Sequence, residues 1–203
     1  MKKMKNLFLL AAALLVFAAC SETEEIPEFN DWEKRNTQFI DSIAKVARAD
    51  KQGEWKIFLD RRIPDSTKVW DNDDYVYCRV LKAGDGTESP IYTDTVTLNY
   101  QGRLIPSRSY PDGYLFDYSY SGELDPDFDV PAQFLLSETV PGFYTAVEHM
   151  VTGTTKTSGD YWRVYIPANL GYGTEKYQNI PAYSTLIFDI NLVSISSPGT
   201  ATE

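Results

Sequence analysis

Apolar positions change their period along the 203 residues, and each change predicts an element. Residues 7 to 19 form one apolar run preceded by Lys2, Lys3 and Lys5. The run is too short for an ordinary membrane span, so it reads as an export address and not as part of the fold. From Asp31 to about Ala49, the residues Trp32, Phe39, Ile40, Ile43, Val46 and Ala47 recur mostly at helical spacing, with Asp31 placed to cap the start. This predicts one amphipathic helix. Trp55, Ile57 and Leu59 then alternate as in a strand, and "RIPDST" from Arg62 to Thr67 reads as a turn. A lone helix and strand cannot bury their own faces, so this pair is expected to dock, on its own chain in preference to a second copy.

Beyond Asp74 the period is two. Val76, Cys78 and Val80 mark one strand, Val96, Leu98 and Tyr100 a second, Trp162, Val164 and Ile166 a third, and Leu186, Phe188, Ile190 and Leu192 a fourth. Each has one buried face, as in an antiparallel sheet. Phe143, Val147 and Met150 stand at helical spacing between Pro141 and Gly153, predicting a short helix that covers that face. The expected fold class is therefore α+β: a curved antiparallel sheet wrapped around one short helix, with an N-terminal helical extension. The expected segments are an address at 1–19, an acidic tether at 20–30, the helix and strand extension at 31–70, the sheet domain at 71–196 and a polar tail at 197–203.

Composition narrows the chemistry. A chain that is 43% hydrophobic and 14% aromatic can pack a core. Its formal charge of −10 becomes more negative still if Lys2, Lys3 and Lys5 are removed with the address, so nucleic-acid phosphates are not expected partners. The cysteines are Cys20 and Cys78. If Cys20 is used elsewhere, Cys78 has no disulfide partner and reads as a small buried hydrophobe on its strand. His149 is the single histidine and is expected to face solvent, so zinc chemistry and a serine triad lack their parts. Asp125, Asp127 and Asp129 alternate like the first ligands of a calcium loop, but Val130 stands where glycine is required and Leu136 where the bidentate glutamate belongs. "GYG" at 171–173 lacks the strand, loop and helix of a phosphate cradle. No metal and no cofactor are expected.

The ending "FAAC" at Cys20 resembles a bacterial lipoprotein signal, with Phe17 where that family prefers leucine. The resemblance implies a chain cut before Cys20, whose thiol carries diacylglycerol and whose new amine is acylated, giving a stable membrane anchor. Glu22, Glu24 and Glu25 resemble the acidic export signal of Bacteroidetes surface lipoproteins. Together these imply an outer-membrane lipoprotein of the bacterial cell envelope, facing the periplasm or the outside.

The segments "VTLNYQGRL", "YLFDYS", "FLLSETVPGF", "VEHMVTG", "YIPANLGYG" and "NIPAYSTLIFDINLVSI" resemble, in order, the signature segments of FKBP-type peptidyl-prolyl cis-trans isomerases. The resemblance implies a groove between sheet and helix that holds a proline side chain, built from Tyr100, Phe116, Asp117, Val140, Phe143, Tyr172, Ile180 and Phe188. Phe143 stands where the family usually has a tryptophan floor, and Ala132 where many members have a phenylalanine wall, which leaves an expectation of a more open pocket. Taken singly, the aromatic residues at these positions also read as ordinary core. The loop from Tyr118 to Val130 is longer than the family's and is expected beside the groove, either lending Tyr118, Tyr120 and Phe128 to it or covering it. The implied function is isomerisation of X-Pro bonds, at modest rate, in exported or envelope polypeptides. The alternative is a non-catalytic FKBP-like binding module on the envelope, and a homodimer through the N-terminal extension is a further possibility.

Overall fold

The computed structural model describes residues 27–64, 68–126 and 128–198. The export address, Cys20 and the acidic residues after it, the turn residues Asp65 to Thr67, Asp127 and the end of the polar tail lie outside the described residues. Among those described, no helix is long and apolar enough to cross a membrane. The elements below all belong to a unit that begins at Asp31.

Helix α1 (Trp32–Ala49) is followed by strands β1 (Trp55–Leu59), β2 (Tyr75–Lys82), β3 (Thr95–Arg103), β4 (Leu115–Tyr118) and β5 (Ala132–Leu135). Then come the short helix α2 (Pro141–Val147) and strands β6 (Tyr161–Ile166) and β7 (Leu186–Ser196). The strands make one antiparallel sheet in the order β1-β2-β6-β7-β3-β4, with β5 also pairing β3. The long strands follow from their alternating patterns. β4 and β5 have four residues each, too few for a period to be read.

Alternation sends Val76, Cys78, Val96, Leu98, Trp162, Val164, Ile190 and Leu192 to the inner face, where they pack with Ala146, Val147 and Met150. Full burial of such side chains contributes about 1.5–3 kcal/mol each before entropy. Cys78 is completely buried, and burial pushes its thiol well above the ordinary range, so it is a packing residue. Pro141 opens α2 at the position where a missing N–H costs nothing. Gly142 lets that helix sit on β6, since a Cβ there would lie 2.3 Å from Ile166 Cγ2. The helix is shorter than the spacing of Phe143, Val147 and Met150 predicts. It tightens after Val147, with the Met150 amide bonding Val147 O at 3.0 Å, yet Met150 remains fully buried. His149 is exposed as expected, but its ring stacks on Phe58 with centroids 3.9 Å apart.

On the outer face, α1 places Ile40, Ala44 and Ala47 against Tyr77, with Trp55, Ile57 and Tyr165 around them. Val46 points away and is 54% exposed, because the buried stripe of the helix runs through Asn36, Ile40, Ala44 and Ala47. Asp31 occupies the N-cap position with a left-handed φ of 50°, and its side chain makes no capping bond to the helix.

Candidate functional site

Six rings gather where α2 fails to cover the inner face. Tyr100 comes from β3, Phe134 from β5, Phe143 from α2 and Phe188 from β7, while Tyr172 and Tyr177 come from the loop after β6. They wall a cavity of about 450 Å³ together with Asp117, Glu138, Thr139, Val140 and Pro141. Phe188 is the hub: its ring meets Phe143 edge-on at 5.3 Å, Phe116 edge-on at 5.5 Å and Tyr100 at 6.4 Å. Phe134 meets Tyr100 edge-on at 5.3 Å. Gly102 makes this arrangement possible, because a Cβ there would lie 2.6 Å from Phe188 and 2.7 Å from Phe116. Tyr172 and Tyr177 stack at 4.2 Å with nearly parallel planes and form the side that meets solvent, Tyr177 being 45% exposed.

Tyr100, Asp117, Val140, Phe143, Tyr172 and Phe188 are thus brought together around one hollow. Phe116 stands behind the hollow as a packing partner of Phe188. Ile180 lies buried beneath the loop and exchanges two backbone bonds with Tyr177, at 2.8 and 3.0 Å. Phe134, Tyr177, Glu138 and Thr139 escaped the sequence reading. Phe134 lies two residues after Ala132 in a strand too short to show a period, and its ring supplies an aromatic wall near the position where Ala132 has none. Tyr177 carries no periodic signal, and only the folding of its loop sets it on Tyr172.

The polar groups of the hollow are hydroxyls and carboxylates. Burial raises the Tyr100 hydroxyl well above its ordinary value, and a bond to Asp117 raises it further. Burial, with Tyr177 and Asp117 nearby, raises Tyr172 too. Both hydroxyls therefore stay protonated donors at neutral pH. The lining contains no histidine, cysteine, lysine or arginine, which leaves little for covalent or proton-transfer chemistry and much for binding an apolar ring.

The loop after β4 does not join this site. Tyr120 is buried on the opposite face of the sheet, where its hydroxyl lies 3.0 Å from that of Tyr161. Gln101 donates to the carbonyls of Tyr120 and Gly122, at 3.0 and 3.1 Å. Tyr118 and Phe128 are 54% and 83% exposed, and neither lines the hollow. The expectation that this loop lends aromatics to the groove or covers it is corrected: the side chains of Gln101 and Tyr161, which project from the other face of the sheet, hold it there. Asp129 within it accepts from the Asp125 amide at 2.7 Å, a turn-closing bond.

The sequence profile of the FKBP-type peptidyl-prolyl cis-trans isomerases matches residues 86–193, just over half of the chain, and the chain belongs to that family. It is 36% identical over 119 residues to peptidyl-prolyl cis-trans isomerase Mip of Coxiella burnetii, an alignment covering 58% of this chain and 43% of that protein. It is 35% identical over 118 residues to outer membrane protein MIP of Legionella longbeachae, covering 58% of this chain and 42% of that one. The crystal structure of FkpA from Escherichia coli superimposes with a TM-score of 0.55 at 27% identity, over 83% of this chain and 61% of that chain. The chain therefore spans less than half the length of these two curated relatives.

Proposed function

We propose that the chain is a peptidyl-prolyl cis-trans isomerase that takes the proline ring of a polypeptide into the six-ring hollow. The observation that carries this reading is the hollow itself: about 450 Å³, aromatic on its floor and walls, with hydroxyl donors at its side and no histidine, cysteine or lysine in its lining. Rotation about an X-Pro bond meets a barrier of about 18–20 kcal/mol, because the planar amide has resonance that the twisted amide lacks. The twisted form also has less charge separation. A dry aromatic pocket therefore destabilises the flat, polar amide more than the twisted one, which lowers the barrier without a covalent step. Phe143 and Phe188 would hold the ring, while the Val140 N–H and the Tyr172 hydroxyl would fix a flanking carbonyl. Asp117, beside Tyr100, orients that hydroxyl, and no proton need move.

The setting proposed is the bacterial envelope, consistent with one relative named as an outer membrane protein, with Cys20 as the lipidated anchor and exported proline-containing polypeptides as substrates. A homodimer through the extension would have to use the outward side of α1, since Trp32, Ile40, Ala44 and Ala47 are buried against the same chain.

The test is a protease-coupled assay on a short prolyl peptide. Expected is a cis-to-trans rate that rises in proportion to protein and falls about tenfold or more in Tyr172→Phe, which keeps the ring and removes the donor, with the melting point nearly unchanged. A folded protein that gives no acceleration would reduce the site to a binding module.

A further inference from the structure

The two tyrosines that close the groove sit on a loop whose shape depends on bonds from outside it. Between Gly171 and Tyr183 the chain turns back on itself: the Tyr183 amide bonds Gly173 O at 2.8 Å, and the Gly173 amide bonds Ala168 O at 2.8 Å. Gln178 and Tyr183 have φ values of 50° and 60°, the left-handed region that L side chains adopt at a cost. Such a loop holds one conformation only where its surroundings over-determine it.

Those surroundings come from α1. The Trp32 Nε1–H donates to Ser184 Oγ at 2.8 Å, and Ser184 Oγ–H donates to Pro181 O at 2.7 Å. Asn36 Oδ1 accepts the Thr185 amide at 2.7 Å, while Asn36 Nδ2 donates to Trp32 O at 2.7 Å. Trp32, Asn36, Ser184 and Thr185 are all buried, between 1% and 6% exposed. Asparagine is a poor residue for a helix interior, because its side chain competes for backbone bonds. At position 36 its side-chain oxygen holds another segment while its amide nitrogen bonds its own helix. The segment held is the junction between the loop that bears Tyr172 and Tyr177 and strand β7, which carries Phe188 three residues after Thr185.

We propose that α1 is a positioning element of the proline groove, with Trp32 and Asn36 as positioning residues that set the Tyr172–Tyr177 wall against Phe188. This rests on the isomerase reading above. It gives the extension a role in the reaction although none of its residues lines the hollow. The other half of the helix serves as an internal control. Ala44 and Ala47 pack with Tyr77 in a separate apolar cluster, and neither lines the cavity that Asn36 and Ile40 share with Gly173, Tyr183 and Thr185, so a change there weakens the fold without releasing the loop.

The experiment compares Trp32→Phe, Asn36→Ala and Ala44→Gly in the full chain, well below their melting points. Amide hydrogen exchange is read across residues 172–185 and across β3, and kcat and KM are measured separately on a prolyl peptide. For Trp32→Phe and Asn36→Ala, exchange over 172–185 is expected to rise about tenfold while β3 keeps its protection. Their kcat/KM per folded molecule is expected to fall about five- to tenfold, since small misplacements of binding groups are costly in rate. Ala44→Gly is expected to lower the melting point and leave kcat/KM per folded molecule unchanged. Unaltered exchange over 172–185 in both loop-facing variants, or activity falling only with the folded fraction in all three, would overturn the proposal. If the parent has no isomerase activity, the functional reading fails. The exchange arm then still decides whether α1 clamps the loop.

Discussion

The two faces of the sheet are built from the same strands and end in opposite conditions. On the inner face the apolar side chains are covered by a helix of seven residues, too short to reach all of them, and the rings left at its edge wall an open hollow. On the outer face a larger hollow of about 840 Å³ lies over β3, β6 and β7. The charged and amide groups at its centre are already engaged with one another. Arg163 grips Asp189 through two bonds of 2.6 and 2.7 Å, Arg103 donates to Gln101 Oε1 at 3.2 Å, and Gln101 holds the loop after β4. Volume alone would select the outer hollow. Chemistry selects the inner one, because a binding site needs surface whose interactions are not yet made, and the uncovered rings supply it.

The sharpest way to break the comparison is to remove the hub of the inner face. Phe188→Ala deletes the ring that touches Phe116, Phe143 and Tyr100. It should cost about 3–5 kcal/mol of stability and abolish isomerisation, as measured by denaturant unfolding and the peptide assay. Retained activity in a folded Phe188→Ala protein would mean that the proline ring binds elsewhere. The matching change on the outer face is Arg163→Met, which leaves Asp189, only 12% exposed, without its charge partner. Asp189 holds the Arg163 guanidinium above its ordinary pKa, so the arginine stays charged. The loss should be roughly 1–3 kcal/mol with kcat/KM per folded molecule unaltered, and a fall in kcat/KM would show that the outer face takes part. The smallest expected effect is that of pH. Tyr100 and Tyr172 are both raised above the usual tyrosine value by burial, so their neutral, donating forms persist as pH rises. No histidine or cysteine lines the hollow. The rate is therefore expected to stay flat from about pH 6 to about pH 9, and a bell-shaped profile centred near neutrality would contradict a mechanism without proton transfer.

Much of this was legible in the sequence, unevenly so. The alternation in β3, β6 and β7 identified the strands and the buried apolar residues of the inner face, because a pleated chain sends every second side chain to one face; it gave no sign that Asn99, Gln101, Asp189 and Asn191 are buried on the other face. The ordered signature segments placed six of the eight named site residues around one hollow. Helix α1 was legible as an element, but its buried stripe was misjudged at Val46, because a partner surface and not the periodicity chooses which of two adjacent stripes is covered. The long loop was misplaced for a similar reason. It follows a strand of the groove in sequence, and its aromatic content invited an aromatic role, yet Gln101 and Tyr161 draw it to the other side of the sheet.

The order of apolar and polar residues, by itself, determined that this chain makes an antiparallel sheet covered on its inner face by one short helix, with aromatic residues at the edge of its core. Only the tertiary structure decided which rings stay uncovered, that Phe134 and Tyr177 complete the wall, and that Trp32 and Asn36 reach across some 150 residues to hold the loop beside it. The division has one physical cause. Periodicity and propensity act over neighbouring residues, whereas coverage, register and buried hydrogen bonds depend on which distant surfaces meet.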